Sequence, residues 1–327
     1  MTAVRLAVAG IFIVTALAGA LAVEAQQARL YRVGVLTQGA PQFVSSIAGL
    51  KDGLRELGLE EGKQVVFHVR DVKGDLKSVE VAAKSLEDEK VDLICTLATS
   101  TTLATKRATK SVPIVFYAGA DPVAVGLVES FRKPGSRLTG IHGRVVDLTA
   151  KRLELLRDIV PRLRRAVTFY NPHNQAAQQS VTRARDAARR LGVELLERPV
   201  ASVDELRAGL RALRPGDADA YLQVPDPMVA NQADLIIQTA MAKRLPTMVQ
   251  DKETVARGAL ASYGVSYYIV GQLLAKSARR VLLGADPGDL PVEQLDRLHF
   301  VVNLKTAKAI GLTIPPSVLA RADEIIQ

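Results

Sequence analysis

From residue 31 onward, short β-branched and apolar runs alternate with stretches of helical periodicity, and the alternation runs through the chain twice. This pattern constrains the fold more tightly than any other feature. Strands separated by helices pair in parallel, through right-handed crossovers. In the first half, residues 31–36 read as a strand and 37–41 as a turn-rich loop. A helix follows with Ile47, Leu50, Leu54 and Leu57 on one face, closed by Gly58. Strands are expected at 65–69, 91–97 and 112–116, with a helix over 78–90. The second half repeats the rhythm, with strands at 165–170, 193–196, 219–224 and 245–249 and helices at 178–191 and 204–213. First-to-third strand spacing is similar in the two halves (Val33 to Val91, Val167 to Asp219), as a repeated architecture would give.

Segments 138–142 and 260–263 read as extended crossings, 267–283 as an amphipathic helix, and 290–302 as extended again. The fold class expected is α/β, with two Rossmann-like lobes of parallel sheet joined by a hinge. Residues 30–140 plus 264–289 form the first lobe, and 141–263 plus 290–327 the second. Ligands of such sheets sit at the carboxyl ends of the strands, and two lobes facing one another close on a ligand by hinge motion.

Composition narrows the class. At 48% apolar and 24% charged residues, the 327-residue chain is globular. Its net charge of +9 is spread, with Lys and Arg usually beside Glu or Asp, so no nucleic-acid partner is expected. Cys95 is the only cysteine, which rules out an intrachain disulfide. At the N-terminus, Arg5 precedes an apolar run over 6–23 and then Val23-Glu24-Ala25. This is the pattern of a secretory signal peptide cleaved after Ala25, with Ala20-Leu21-Ala22 as the second candidate site and an uncleaved anchor as the alternative. The mature chain is expected in the periplasm.

The stretch CTLATSTTLATK (95–106) puts Thr96, Thr99, Ser100, Thr101 and Thr102 where a strand hands over to a helix. Open N–H groups and the helix dipole there favour an anion, and hydroxyls add donors without charge. Plain N-capping is the alternative. Other strand ends add Gln38, Tyr117 and Asp121 in the first half, and Asn171, Asn174, Asp226 between two prolines, Gln250 and Tyr263 in the second. Asp121 or Asp226 would suit an ammonium, although Asp226 also reads as a turn-former. The four His lack metal-ligand spacing, and nucleophile-elbow, Walker A and dinucleotide motifs are missing. No catalytic residue, metal or cofactor is expected.

The stretches VGVLTQG (33–39), GLKDGLRELG (49–58), VDLICTLATSTTLATKRATKSVPIVF (91–116), AGADPVAVGLVES (118–130), DLTAKRLELL (147–156), YNPHN (170–174) and NLKTAKAIGLTIPPSVLARADEII (303–326) resemble the ABC-transporter substrate-binding proteins of the tryptophan/tyrosine type. That resemblance implies a type I periplasmic-binding fold and a small carboxylate-bearing ligand, an amino acid or analogue, in the interlobe cleft. It also implies delivery to an ABC permease in the membrane; the binding protein itself is expected to be a monomer. The ligand carboxylate would sit on the 99–101 turn. The chain has no Trp to stack on an aromatic ligand, but Tyr117, Tyr170 and Tyr263 are available. A ligand sensor of the same fold, signalling to a membrane receptor or kinase, and an extracytoplasmic enzyme are the competing readings.

Overall fold

The computed structural model describes residues 29–327; the expected signal peptide and its cleavage site lie outside them. The first half runs β1 (Tyr31–Thr37), α1 (Pro41–Glu56), β2 (Val65–Asp71), α2 (Leu76–Asp88), β3 (Leu93–Leu97), α3 (Thr99–Ala108), β4 (Ile114–Ala118) and β5 (Leu138–His142). The second runs α4 (Leu148–Ile159), β6 (Arg165–Tyr170), α5 (Gln175–Leu191), β7 (Glu194–Pro199), α6 (Val203–Ala212), β8 (Ala220–Leu222), α7 (Pro227–Ala230), α8 (Ala233–Ala242), β9 (Thr247–Val249), α9 (Lys252–Ala256) and β10 (Ala261–Val265). The chain then returns through α10 (Tyr267–Leu282) and β11 (Glu293–Gln294), and ends with β12 (Leu298–Asn303), α11 (Leu304–Ile310), α12 (Pro316–Leu319) and β13 (Glu324–Ile326).

Local chemistry sets many of these boundaries. Asp75, Asn174, Ser202, Asp226, Asp251, Ser266 and Asn303 each cap the helix that follows by accepting a backbone N–H. Gly192 and Gly311 close α5 and α11 in the left-handed conformation that a β-carbon disfavours. Asn174 moves the start of α5 to Gln175, a few residues ahead of the expected position.

Two sheets result. The first has strand order β11-β5-β4-β3-β1-β2 and is parallel throughout. The second, β13-β12-β10-β9-β8-β6-β7, is parallel except where β10 meets β12. Strands β3 and β4 are buried along their whole length, as covered parallel strands must be.

The lobe boundaries differ from the sequence expectation at each crossing. Ile141 and His142 pair within β5 of the first sheet, and Glu293 and Gln294 pair with those same two residues, so both segments belong to the first lobe. Gly264 and Val265 pair with β12 and belong to the second. Hydrogen bonding across strands decides these positions. Three crossings remain: 143–147, Ser266, and 295–297.

Helices α1 and α10 pack against each other in the first lobe through glycine. A β-carbon on Gly271 would lie 2.0 Å from the Ser46 carbonyl oxygen, and one on Gly49 would lie 2.1 Å from that of Tyr268. The two backbones therefore lie in direct contact.

Candidate functional site

The carboxyl ends of strands from both sheets converge on one cavity, with ≈ 380 Å³ of space between protein atoms that includes space open to solvent. The first lobe contributes Gln42 and Phe43 from the first turn of α1, Thr99 and Ser100 from α3, Tyr117 from β4, and Tyr267 from the first turn of α10. The second lobe contributes Asn174, the Pro225-Asp226-Pro227 turn and Gln250, and Val145 from the first crossing completes the wall. At the rim the lobes touch: a β-carbon on Gly74 would sit 3.2 Å from the Met228 Cα.

One wall is the open end of α3. Its N-cap position, Ala98, provides no side-chain cap, and the first N–H of the segment with a partner is that of Thr102, on the Ala98 carbonyl. Ala98 holds φ 102° and ψ 149°. Such a backbone is costly for a residue with a β-carbon and is typical of functional turns. The strained turn leaves the N–H groups of the first turn of α3 free at the cavity, a ready anion site.

The opposite wall carries Asp226, 1% exposed. Its Oδ1 accepts from the Val229 N–H at 3.2 Å and its Oδ2 from the Asn171 N–H at 2.8 Å. Burial pushes its pKa up, while these hydrogen bonds and the Asn174 side chain pull the other way. The floor is aromatic. The rings of Phe43 and Tyr117 both meet Tyr267 edge-on, with centroids 5.9 and 5.5 Å away. Burial raises both phenols well above their ordinary pKa, so they stay neutral.

Of the residues singled out in the sequence, Thr99, Ser100, Tyr117, Asn174, Asp226 and Gln250 line this cavity. The others serve elsewhere. Gln38 stands behind the wall, its amide donating to Ser100 Oγ at 3.0 Å and Thr101 Oγ1 at 2.8 Å, and Thr101 is fully buried. Asp121 caps a turn through the Val123 and Ala124 N–H groups. Asn171 borders a separate, outer cavity with His173 and Lys73. Tyr263 packs against the second-lobe core, and its carbonyl accepts from Arg152 Nε at 2.7 Å.

The hydroxyl cluster also works differently from the expectation that it faces a ligand as a group. Thr96 and Thr102 bond each other, Thr102 also bonds the Ala98 carbonyl, and Thr99 Oγ1 accepts from the Gly119 and Ala120 N–H groups. Most of the hydroxyls therefore wire the β3–α3 junction internally. Gln42, Phe43 and Tyr267 were not singled out. Each lies just inside a helix, beyond the strand-end loops that drew attention; Pro41 at the first helical position was the available signal for the first two.

Fold and site together define a two-lobed solute-binding protein with its ligand position between the lobes. The family described as ABC transporter substrate binding protein matches residues 37–326, and the chain belongs to it. It is 26% identical over 273 residues to the tyrosine-binding protein of Clostridioides difficile (strain R20291), covering 83% of this chain and 78% of that protein. It superposes with TM-score 0.82 on the crystal structure of an ABC domain in complex with L-Trp from Streptococcus pneumoniae, at 26% identity over 90% of this chain and 99% of that one. Against the ligand-free, open structure of a substrate-binding protein with adhesive properties from Clostridium difficile, the TM-score is 0.62, at 25% identity over 91% and 99% of the two chains.

Proposed function

We propose that this protein captures a free amino acid, with an aromatic side chain favoured, by closing its two lobes, and delivers it to an ABC permease in the cytoplasmic membrane. The observation that carries this reading is the polarity of the cavity. An uncapped helix end on one wall suits a carboxylate, and the Asp226 carboxylate on the facing wall suits an ammonium. The zwitterion spans the two lobes, and Phe43, Tyr117 and Tyr267 receive the side chain. The relatives that bind tyrosine and tryptophan support the ligand class. The contrast in TM-score at nearly equal identity supports a closed arrangement here, as does the contact of Gly74 with Met228. Export through the signal peptide and action as a monomer in the periplasm complete the reading; turnover of the ligand forms no part of it.

A thermal-shift screen of residues 26–327 against the common amino acids and small organic acids tests the proposal. A ligand at a hundred times its Kd adds about 2.7 kcal/mol to stability, a readily visible rise in Tm. Selective stabilisation by aromatic amino acids is the expected result. A shift produced only by compounds lacking either the ammonium or the carboxylate would contradict it.

A further inference from the structure

Two side chains lining the cavity are buried with a polar atom left unpaired. Gln42 is 2% exposed and Gln250 3%, and the amide oxygen of each has no hydrogen-bond partner among the described residues. A buried acceptor without a donor is destabilising and calls for a reason. The two come from opposite lobes. Gln42 stands on the first turn of α1, and Gln250 stands at the end of β9, where its own carbonyl packs on Gly264 so closely that a β-carbon there would approach to 2.1 Å. Both side chains are thus mounted on parts of the fold with little room to move. Asp226, by contrast, already gives both carboxylate oxygens to backbone N–H groups.

We propose that the carboxamides of Gln42 and Gln250 accept two N–H groups of the ligand's ammonium, one from each lobe, with Asp226 supplying the nearby negative charge. The inference rests on the amino-acid reading above and adds to it the residues that read the amine. An ammonium has three N–H groups and needs three acceptors. Because the two amides stand on different lobes, both bonds form together only when the lobes are closed. Recognition of the amine and closure are then one event, and a carboxylic acid lacking the amine leaves both acceptors unpaired.

Isothermal titration of the wild-type protein and of Gln42→Leu and Gln250→Leu, each with L-tyrosine, L-tryptophan and 3-(4-hydroxyphenyl)propanoate, tests this. Each substitution is expected to weaken binding of the amino acids by about tenfold or more, and of the amine-free acid by less than about threefold. Gln250→Glu, which keeps the size and the acceptor, is expected to retain L-tyrosine and to weaken the amine-free acid; it serves equally if a Leu variant fails to fold. Equal losses for acids with and without the amine, or no loss at all, overturn the assignment while leaving the proposed function standing. A wild-type protein that binds neither amino acid overturns both.

Discussion

Asp251 caps α9 with Oδ1 and leaves Oδ2 buried, with no partner among the described residues. Burial raises its carboxyl to about 6, and neighbouring Glu253 adds to the rise, against the opposing pull of the Thr254 hydrogen bonds and Arg152. Arg152 is itself fully buried, its guanidinium lowered to about 10 chiefly by burial, and it gives its N–H groups to the Val145 and Tyr263 carbonyls. A carboxyl raised in the fold binds protons more tightly there than in the unfolded chain. Its ionisation therefore lowers stability as pH rises from about 4 to 6, and the deficit persists above that window. Asp251→Asn keeps a capping oxygen and has nothing to ionise. Relative to wild type it is expected to gain on the order of 1–3 kcal/mol on going from pH 4 to pH 7, measured by urea unfolding at each pH. A constant difference across that range would contradict the raised carboxyl. At this scale the sequence was legible where a residue's neighbours in the chain decide its role. The strand-end rule led to Thr99, Tyr117, Asp226 and Gln250 at the cavity. It equally selected Asp121, whose carboxylate is used within its own turn, and Tyr263, which faces a core that periodicity does not reveal.

Among the elements, α1 and α10 do most to shape the site. They begin with Gln42 and Phe43 on one side and Tyr267 on the other, and their axes are held together by the glycine contacts at Gly49 and Gly271. Gly271→Ala places a methyl group 2.0 Å from the Ser46 carbonyl oxygen, so the helices must separate. A loss of about 1–3 kcal/mol in unfolding free energy is expected from such overpacking, together with weaker binding of the amino-acid ligand, because Phe43 and Tyr267 move apart with their helices. Unchanged denaturation midpoint and affinity would show that the interface yields without disturbing the site. The alternation of strands and helices was legible because each element is an amphipathic or β-branched run. The approach of α10 to α1 was not, since it joins segments on opposite sides of the second lobe in the chain.

For the whole molecule, the crossings at 143–147, Ser266 and 295–297 join two separately built sheets. The two-lobed plan followed from the repeated rhythm. The positions of the crossings did not, because pairing of β5 with β11 and of β10 with β12 depends on hydrogen bonds between distant segments. The central claim is that the lobes close on an amino acid held between the α3 end and the Asp226 wall. It is tested most directly by small-angle X-ray scattering on protein stripped of ligand by unfolding and refolding, titrated with L-tyrosine and with L-tryptophan. A saturable fall in the radius of gyration with at least one of them is the result this account predicts. A folded protein whose scattering and Tm stay unchanged by both would contradict it.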